Sequence, residues 1–215
     1  MAETIILDIA LLSLFVSGTA VLLSSCVGVP LGAWLGGREF RGRRIVRAFL
    51  HSLYGLPPVL LGLLLYLSLS RTGPLGSLRW IYTVQGMILA QFLLTLPFIL
   101  GLTWNAVGSV DGSVRDTARS LGAEGRHHLF VLVREARLGV LGAVMVGFGR
   151  AISEVGAVII VGGNIQGETE VLTTAIVTET RRGQFSTAVG LGLILLSLSM
   201  LVFATLTLVQ EREQK

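Results

Sequence analysis

The sequence predicts an all-α integral membrane protein, and three observations lead there. Of its 215 residues, 52% are hydrophobic and only 14% charged, whereas a soluble domain carries about 25% charged residues. The apolar residues gather in five runs long enough to cross a bilayer, for which a helix needs about 20 residues. Glycine is abundant at 27 residues while aromatics make up 7%. In lipid, small residues let helix backbones approach closely, because packing rather than water exclusion holds a bundle together.

The five expected spans cover 9–35, 45–70, 84–107, 138–161 and 187–209. The run VLTTAIV at 171–177 is too short to cross and is bounded by acids, so it is expected to be interfacial or re-entrant. Pro30, Pro57, Pro58 and Pro97 fall in or beside spans, where proline can bend a helix that faces a cavity. The lone cysteine, Cys26, lies in an apolar run, so no internal disulfide forms and its expected role is packing. The opening MAETIILDIA carries acids where a cleavable signal carries basic residues, and no such signal is expected. No repeat, linker or soluble unit interrupts the pattern, so 1–215 is expected to form a single transmembrane domain.

Basic residues set the expected orientation, since cytoplasmic loops retain them. The loop after the first span holds Arg38, Arg41, Arg43, Arg44 and Arg47. The segment 113–137 holds Arg115, Arg119, Arg126, Arg134 and Arg137, and the C-terminus adds Arg212 and Lys215. The other side has only Arg71, Arg79, Arg181 and Arg182, while Arg150 lies within the fourth span. The N-terminus is therefore expected outside, with the C-terminus and 113–137 inside. The basic stretch REFRGRRIVR could suggest nucleic acid; the plainer account is a topology anchor beside anionic lipid, and no nucleic-acid partner is expected.

The segment SVRDTARSLGAEGRHHLFVLVREAR, 113–137, is far longer and more polar than a connection between two spans requires. Drawn as a helix, Val114, Ala118, Leu121 and Gly122 share one stripe, while Arg115, Asp116 and Arg119 spread over the remaining surface. Gly122 ends or bends this helix and Gly125 adds a second weak point. Leu129, Phe130, Val131 and Val133 then resume an apolar run. Two accounts of such a short cross-lying helix stay open: it seats in a groove on another protein, or it rests on lipid headgroups.

The stretch DTARSLGA, with the hydrophobic run on to REAR, resembles the EAA loop of ABC-transporter permeases. In that family a Glu-Ala-Ala triplet precedes a glycine by a fixed gap, and the short helix inserts into a cleft of the ATPase subunit. The triplet maps to Asp116, Thr117 and Ala118, and the glycine to Gly122. The downstream Leu-Pro pair common in importers is replaced by Arg134 and Glu135. The stretch GFGRAISEVGAVIIVGGNIQGETEVLTTAIV, 147–177, is similar to oxyanion importers, molybdate permeases among them, and with REAR it looks most like the tungstate-type permeases.

The resemblance implies a permease subunit of a binding-protein-dependent ABC importer in the plasma (inner) membrane of a prokaryote, carrying tungstate first and then molybdate. It implies a homodimer, two ATP-binding subunits at the cytoplasmic face and an extracytoplasmic oxyanion-binding protein that delivers onto 162–182. Coupling would fall to Thr117, Ala118, Leu121 and Gly122, with Asp116 positioning the helix. ATP and Mg belong to the partner ATPase. An ion-gradient-driven secondary transporter and a non-transporting structural subunit are the rival functions.

Arg150 and Glu154 stand at i, i+4 and so share a helix face. Ionisable groups at that depth face a partner or a water-filled cavity. Two accounts stand: the pair lines or gates the anion route, or it neutralises itself and fixes packing. Ser153, Asn164, Thr173 and Thr174 are neutral donors suited to brief contact with oxyanion oxygens, although packing or loop chemistry explains each as well.

A hydrolytic centre is not expected in this chain. The only lysine is Lys215, so the Walker A pattern G-x-x-x-x-G-K-[ST] is absent. His127 and His128 are adjacent and point apart on a helix, which suits a solvated surface better than a metal; His51 stands alone. There is no G-x-S-x-G nucleophile elbow. No catalytic residue, cofactor or metal is therefore expected on the chain itself.

Overall fold

The computed structural model describes residues 2–212, and every element in it is helical. Lys215, counted above among the basic residues, lies outside the described residues. Three helices are long and apolar enough to cross a membrane: α1 (Ala2–Gly36), α4 (Val84–Gly108) and α10 (Phe185–Arg212). Between them run α2 (Arg43–Tyr54), α3 (Pro58–Leu69), α5 (Gly112–Ser120), α6 (Gly125–Glu135), α7 (Arg137–Ile152), α8 (Gly156–Gly162) and α9 (Leu172–Arg181).

The seam between α1 and α4 organises the rest. Gly28, Gly32 and Gly36 recur at i, i+4, i+8 and bring the two backbones together. A Cβ on Gly32 would stand 2.5 Å from the Leu100 carbonyl oxygen, and one on Gly36 2.8 Å from that of Trp104. Deeper in the seam the Ser24 and Thr95 hydroxyls share a hydrogen bond of 2.6 Å, both side chains being buried. This is helix association by close packing and interhelical hydrogen bonding, as a lipid environment demands. Gly32→Val is expected to force α1 off α4 and lower the melting temperature of the detergent-solubilised protein by several degrees; an unchanged thermal melt would contradict that seam.

Two of the five expected spans are interrupted. The stretch 45–70 is split into α2 and α3, which meet at 91°. Gly55 stops α2, and Pro57 and Pro58 prevent its continuation because proline lacks an N–H and disfavours helix at the residue before it. Pro58 instead starts α3, a position where its missing donor costs nothing. At 12 residues α3 is about 18 Å long, short of the roughly 30 Å hydrocarbon core. The stretch 138–161 breaks between α7 and α8, with a bend of 57°.

The basic loop after α1 folds back rather than serving lipid alone. Arg43, Arg47, Leu50 and Tyr54 recur along the α2 face turned to α4. The Arg43 and Arg47 guanidinium groups lie 5.9 and 5.1 Å from the ring of buried Trp104, a cation–π arrangement. Tyr54 stacks on Phe98 at 4.6 Å. Arg41 and Arg44 stay exposed, as do Ile45 and Phe49.

The run 171–177 falls on α9, ten residues that pack against the start of α1 and α10 through Ile9, Ala10, Leu172, Ala175 and Leu191. The Leu172 N–H donates to the Ser13 hydroxyl at 2.8 Å. At the same end of the bundle, the Tyr82 N–H donates to the Val161 carbonyl at 2.8 Å. The start of α1, the α3–α4 turn and the segment after α8 therefore share one end. The C-terminus of α1, α5 and α6 occupy the other, where Gly37 sits against Leu129 and Leu132.

Candidate functional site

The α5–α6 segment forms a projecting knuckle. Asp111 caps α5, its carboxylate accepting the Ser113 N–H at 2.7 Å. Hydrogen bonding to the ionised form, from the Ser113 hydroxyl first and then from this N–H, holds the Asp111 carboxyl below its usual range. The helix ends where Gly122 turns left-handed at φ +79°, with the Ala123 N–H reaching back to the Ala118 carbonyl at 2.9 Å, a closure that glycine permits at low cost. Beyond it, α6 carries Val131 back alongside α5.

Ala118 is buried, and Asp116, Thr117 and Gly122 are exposed. Leu121 is 82% exposed and Phe130 67%. Beside Leu121 lies a hollow of about 390 Å³ lined by Ser113, Val114, Thr117, Ala118, Leu121, Ala123 and Val131. The anticipated stripe is thus divided: Ala118 anchors the helix while Leu121 projects. A cleft on the other flank, about 500 Å³, is lined by Arg38, Glu39, Arg115, Asp116 and Arg119 together with Gly37 and Gly112.

Arg115 is the positioning residue that sequence inspection missed. Its Nη2 donates to the Val107 and Gly108 carbonyls at 2.7 and 3.1 Å, and its Nε to Val110 at 3.2 Å. A guanidinium thereby satisfies the orphan carbonyls at the C-terminus of α4, where positive charge is also favoured by the helix dipole. The signal was present in the sequence as an arginine within eight residues of the end of an apolar run. His128 also departs from expectation: His127 is exposed, but His128 is half-buried and both its ring nitrogens lack a hydrogen-bond partner among the described residues. Burial, then the charges of Arg119 and Arg115, push its pKa below the ordinary histidine value.

The second cluster is the break between α7 and α8. Arg150 Nη1 lies 2.6 Å from Glu154 Oε2, with Glu154 only 3% exposed. Glu154 Oε1 accepts the Ala157 N–H at 3.0 Å, capping the first turn of α8. Backbone groups freed by the break find partners on neighbouring helices. Gln91 of α4 donates to the Ala151 carbonyl at 3.0 Å, and the Thr173 hydroxyl of α9 to the Glu154 carbonyl at 2.9 Å. Non-helical backbone at membrane depth requires such satisfaction. Gln91 was not singled out from sequence, though an amide well inside the apolar run of α4 was its signal.

The other polar candidates are also tied to backbone or side chains in this conformation. The Ser153 hydroxyl is exposed and donates to Gly149 at 2.7 Å. The Thr174 hydroxyl is buried, accepts the Val171 N–H at 3.1 Å and donates to the Val171 carbonyl at 3.0 Å. Asn164, left-handed at φ 51°, donates from Nδ2 to the Thr178 hydroxyl at 2.8 Å. The structure thus gathers Arg150, Ser153, Glu154 and Thr173 around one break, and sets Thr174 and Asn164 along α9 towards the bundle end.

Comparison with known proteins gives a consistent result. The chain is 42% identical over 200 residues to a probable anion ABC transporter permease protein of Haloferax volcanii, covering 91% of this chain and 86% of that one. It is 40% identical over 203 residues to the tungstate uptake system permease protein TupB of Peptoclostridium acidaminophilum, covering 94% and 89%. It is 33% identical over 202 residues to the molybdenum transport system permease protein ModB of Escherichia coli K12, covering 89% and 87%. Residues 28–215 match the family described as the binding-protein-dependent transport system inner membrane component. That match takes in the last part of α1 and all of α2 to α10, the knuckle and the charged break alike, and the chain belongs to this family of inner-membrane transport components.

Proposed function

We propose that this chain is the permease subunit of an ABC importer for an oxyanion, tungstate first and molybdate next. The observation that carries the reading is the α5–α6 knuckle, with Leu121 exposed beside an apolar hollow, in a chain whose relatives are named as tungstate and molybdenum permeases. Residues 1–215 form one permease domain, its N-terminus outside and its C-terminus inside. Segment 113–137 faces the cytoplasm. Two copies form the pathway, and each knuckle seats in a cleft of an ATPase subunit through Thr117, Ala118, Leu121 and Gly122, with Asp116 beside them. The nucleotide and its Mg are held by those partners, which supply hydrolysis.

An outer binding protein delivers the anion onto 162–182. The route then passes the break that holds Arg150, Ser153, Glu154 and Thr173, with Asn164 and Thr174 nearer its mouth. Because Glu154 neutralises Arg150 at 2.6 Å, the site presents no open cation to trap a dianion, and a pump requires such weak binding inside its channel. Whole-cell tungstate uptake provides the test. Uptake is expected to stop when ATP is depleted and to survive collapse of the proton gradient by a protonophore. The opposite pattern would point to gradient-driven transport through the Arg150–Glu154 pair.

A further inference from the structure

The α3–α4 turn, 70–83, stands at the bundle end opposite the knuckle and has no role in the account above. It holds a hollow of about 580 Å³ lined by Leu69, Arg71, Gly76, Ser77, Arg79 and Ile81. Two arginines share this lining and no acid does. Neither has an ion-pair partner among the described residues, whereas Arg182 at the same end is held by Glu179 at 2.7 Å. The turn is a built platform. Gly73, Leu75, Gly76, Leu78 and Arg79 each donate a backbone hydrogen bond within the turn or to the end of α3. Arg79 and Tyr82 are held at φ 55° and 60°, a conformation that non-glycine residues adopt only where their surroundings fix it. Around the arginines Leu75, Leu78 and Tyr82 are each about two-fifths exposed. Arginine and tyrosine are enriched in protein–protein interfaces.

We infer that this platform is a docking surface for a clustered acidic patch of the soluble receptor, in addition to the segment 162–182; the inference rests on the importer reading above. Charge selects an anionic occupant, and size selects its source. A hollow of 580 Å³ is in the range that encloses a drug-sized body, far more than one tetrahedral oxyanion fills. Carboxylates on a protein surface fit both measures. Arg71 and Arg79 act chiefly by steering the receptor into register, so they govern association rate and salt dependence.

The experiment uses the full permease–ATPase complex in phosphatidylcholine nanodiscs, where no anionic headgroup competes, with its tungstate-loaded receptor as the probe. Receptor binding is expected to weaken steadily with added salt. The R71E/R79E double variant is expected to associate about tenfold more slowly at low salt and to lose that salt dependence, with basal ATPase activity unchanged as proof of folding. R71K/R79K, which keeps the charge, is expected to retain most of the binding; R71Q/R79Q is expected to show an intermediate loss and serves if the charge reversal misfolds. Receptor binding by R71E/R79E at the wild-type rate and salt slope would overturn this docking surface while leaving the importer reading in place. Tungstate alone binding the receptor-free complex in an Arg71- and Arg79-dependent way would also overturn it, in favour of an anion site. A wild-type complex whose turnover ignores the receptor would overturn both readings.

Discussion

Replacing Gly122 with valine is expected to abolish tungstate uptake and co-purification of the ATPase while leaving the protein in the membrane. Gly122 sits at φ +79° with open space around the position of a Cβ, so the defect comes from backbone conformation and not from a clash. A β-branched residue is a strong outlier in that region. Forcing valine to adopt it costs about 1–3 kcal/mol, and the turn relaxes by re-aiming Leu121, which is the exposed apolar residue at the tip. Helix α4 and the seam with α1 lie away from the turn and remain folded. Pull-down of the ATPase on the tagged permease, alongside an uptake assay, checks this. Retention of a normally active ATPase by the G122V protein would show that the knuckle is not the coupling element.

Glu154→Ala is the second large effect. It leaves the Arg150 guanidinium without its partner at 2.6 Å and the Ala157 N–H without its acceptor. Removing one member of a buried pair is more damaging than the pair is helpful, because the remaining charge stays desolvated. The expected loss is about 3 kcal/mol, at the low end for buried pairs because the Arg150 side chain keeps 27% exposure. Arg150→Ala should cost less, since Glu154 retains its hydrogen bond from Ala157. The exchange R150E/E154R is expected not to restore the protein. An arginine at 154 offers no acceptor to Ala157, and the carboxylate has been moved a full turn away. Chemical denaturation in mixed micelles measures each variant; full recovery in the exchanged protein would reduce the pair to mutual neutralisation.

Much of this architecture was legible in the sequence, for reasons that differ by element. Helices α1, α4 and α10 announce themselves because lipid imposes an uninterrupted apolar run on any helix that crosses it. The knuckle was legible because Gly122 punctuates a polar helix and because its pattern resembles a known loop. The two interrupted stretches were not. Hydropathy averages over a window and does not register a change of direction, so 45–70 and 138–161 each read as one span. At the first break Pro57 and Pro58 were visible but permit either a kink or a stop. At the second there is no proline at all, and the bend depends on Glu154 within the break and on Gln91 of α4 and Thr173 of α9, which donate to the Ala151 and Glu154 carbonyls. Such long-range satisfaction leaves no local trace. Arg115 illustrates the same gap, since a charge counted for topology turned out to be bonded to the end of α4.

The placement of α4 has a mechanical corollary. At its C-terminal end Arg115 ties it to α5; at its N-terminal end Thr83 caps it directly after the turn that carries Arg79 and Tyr82. One continuous strut of 25 residues thus joins the knuckle proposed to meet the ATPase to the turn proposed to receive the receptor. Coupling free energies are reciprocal, so whatever preference the ATPase state confers on receptor affinity must return undiminished as a preference of the receptor-bound complex for that ATPase state.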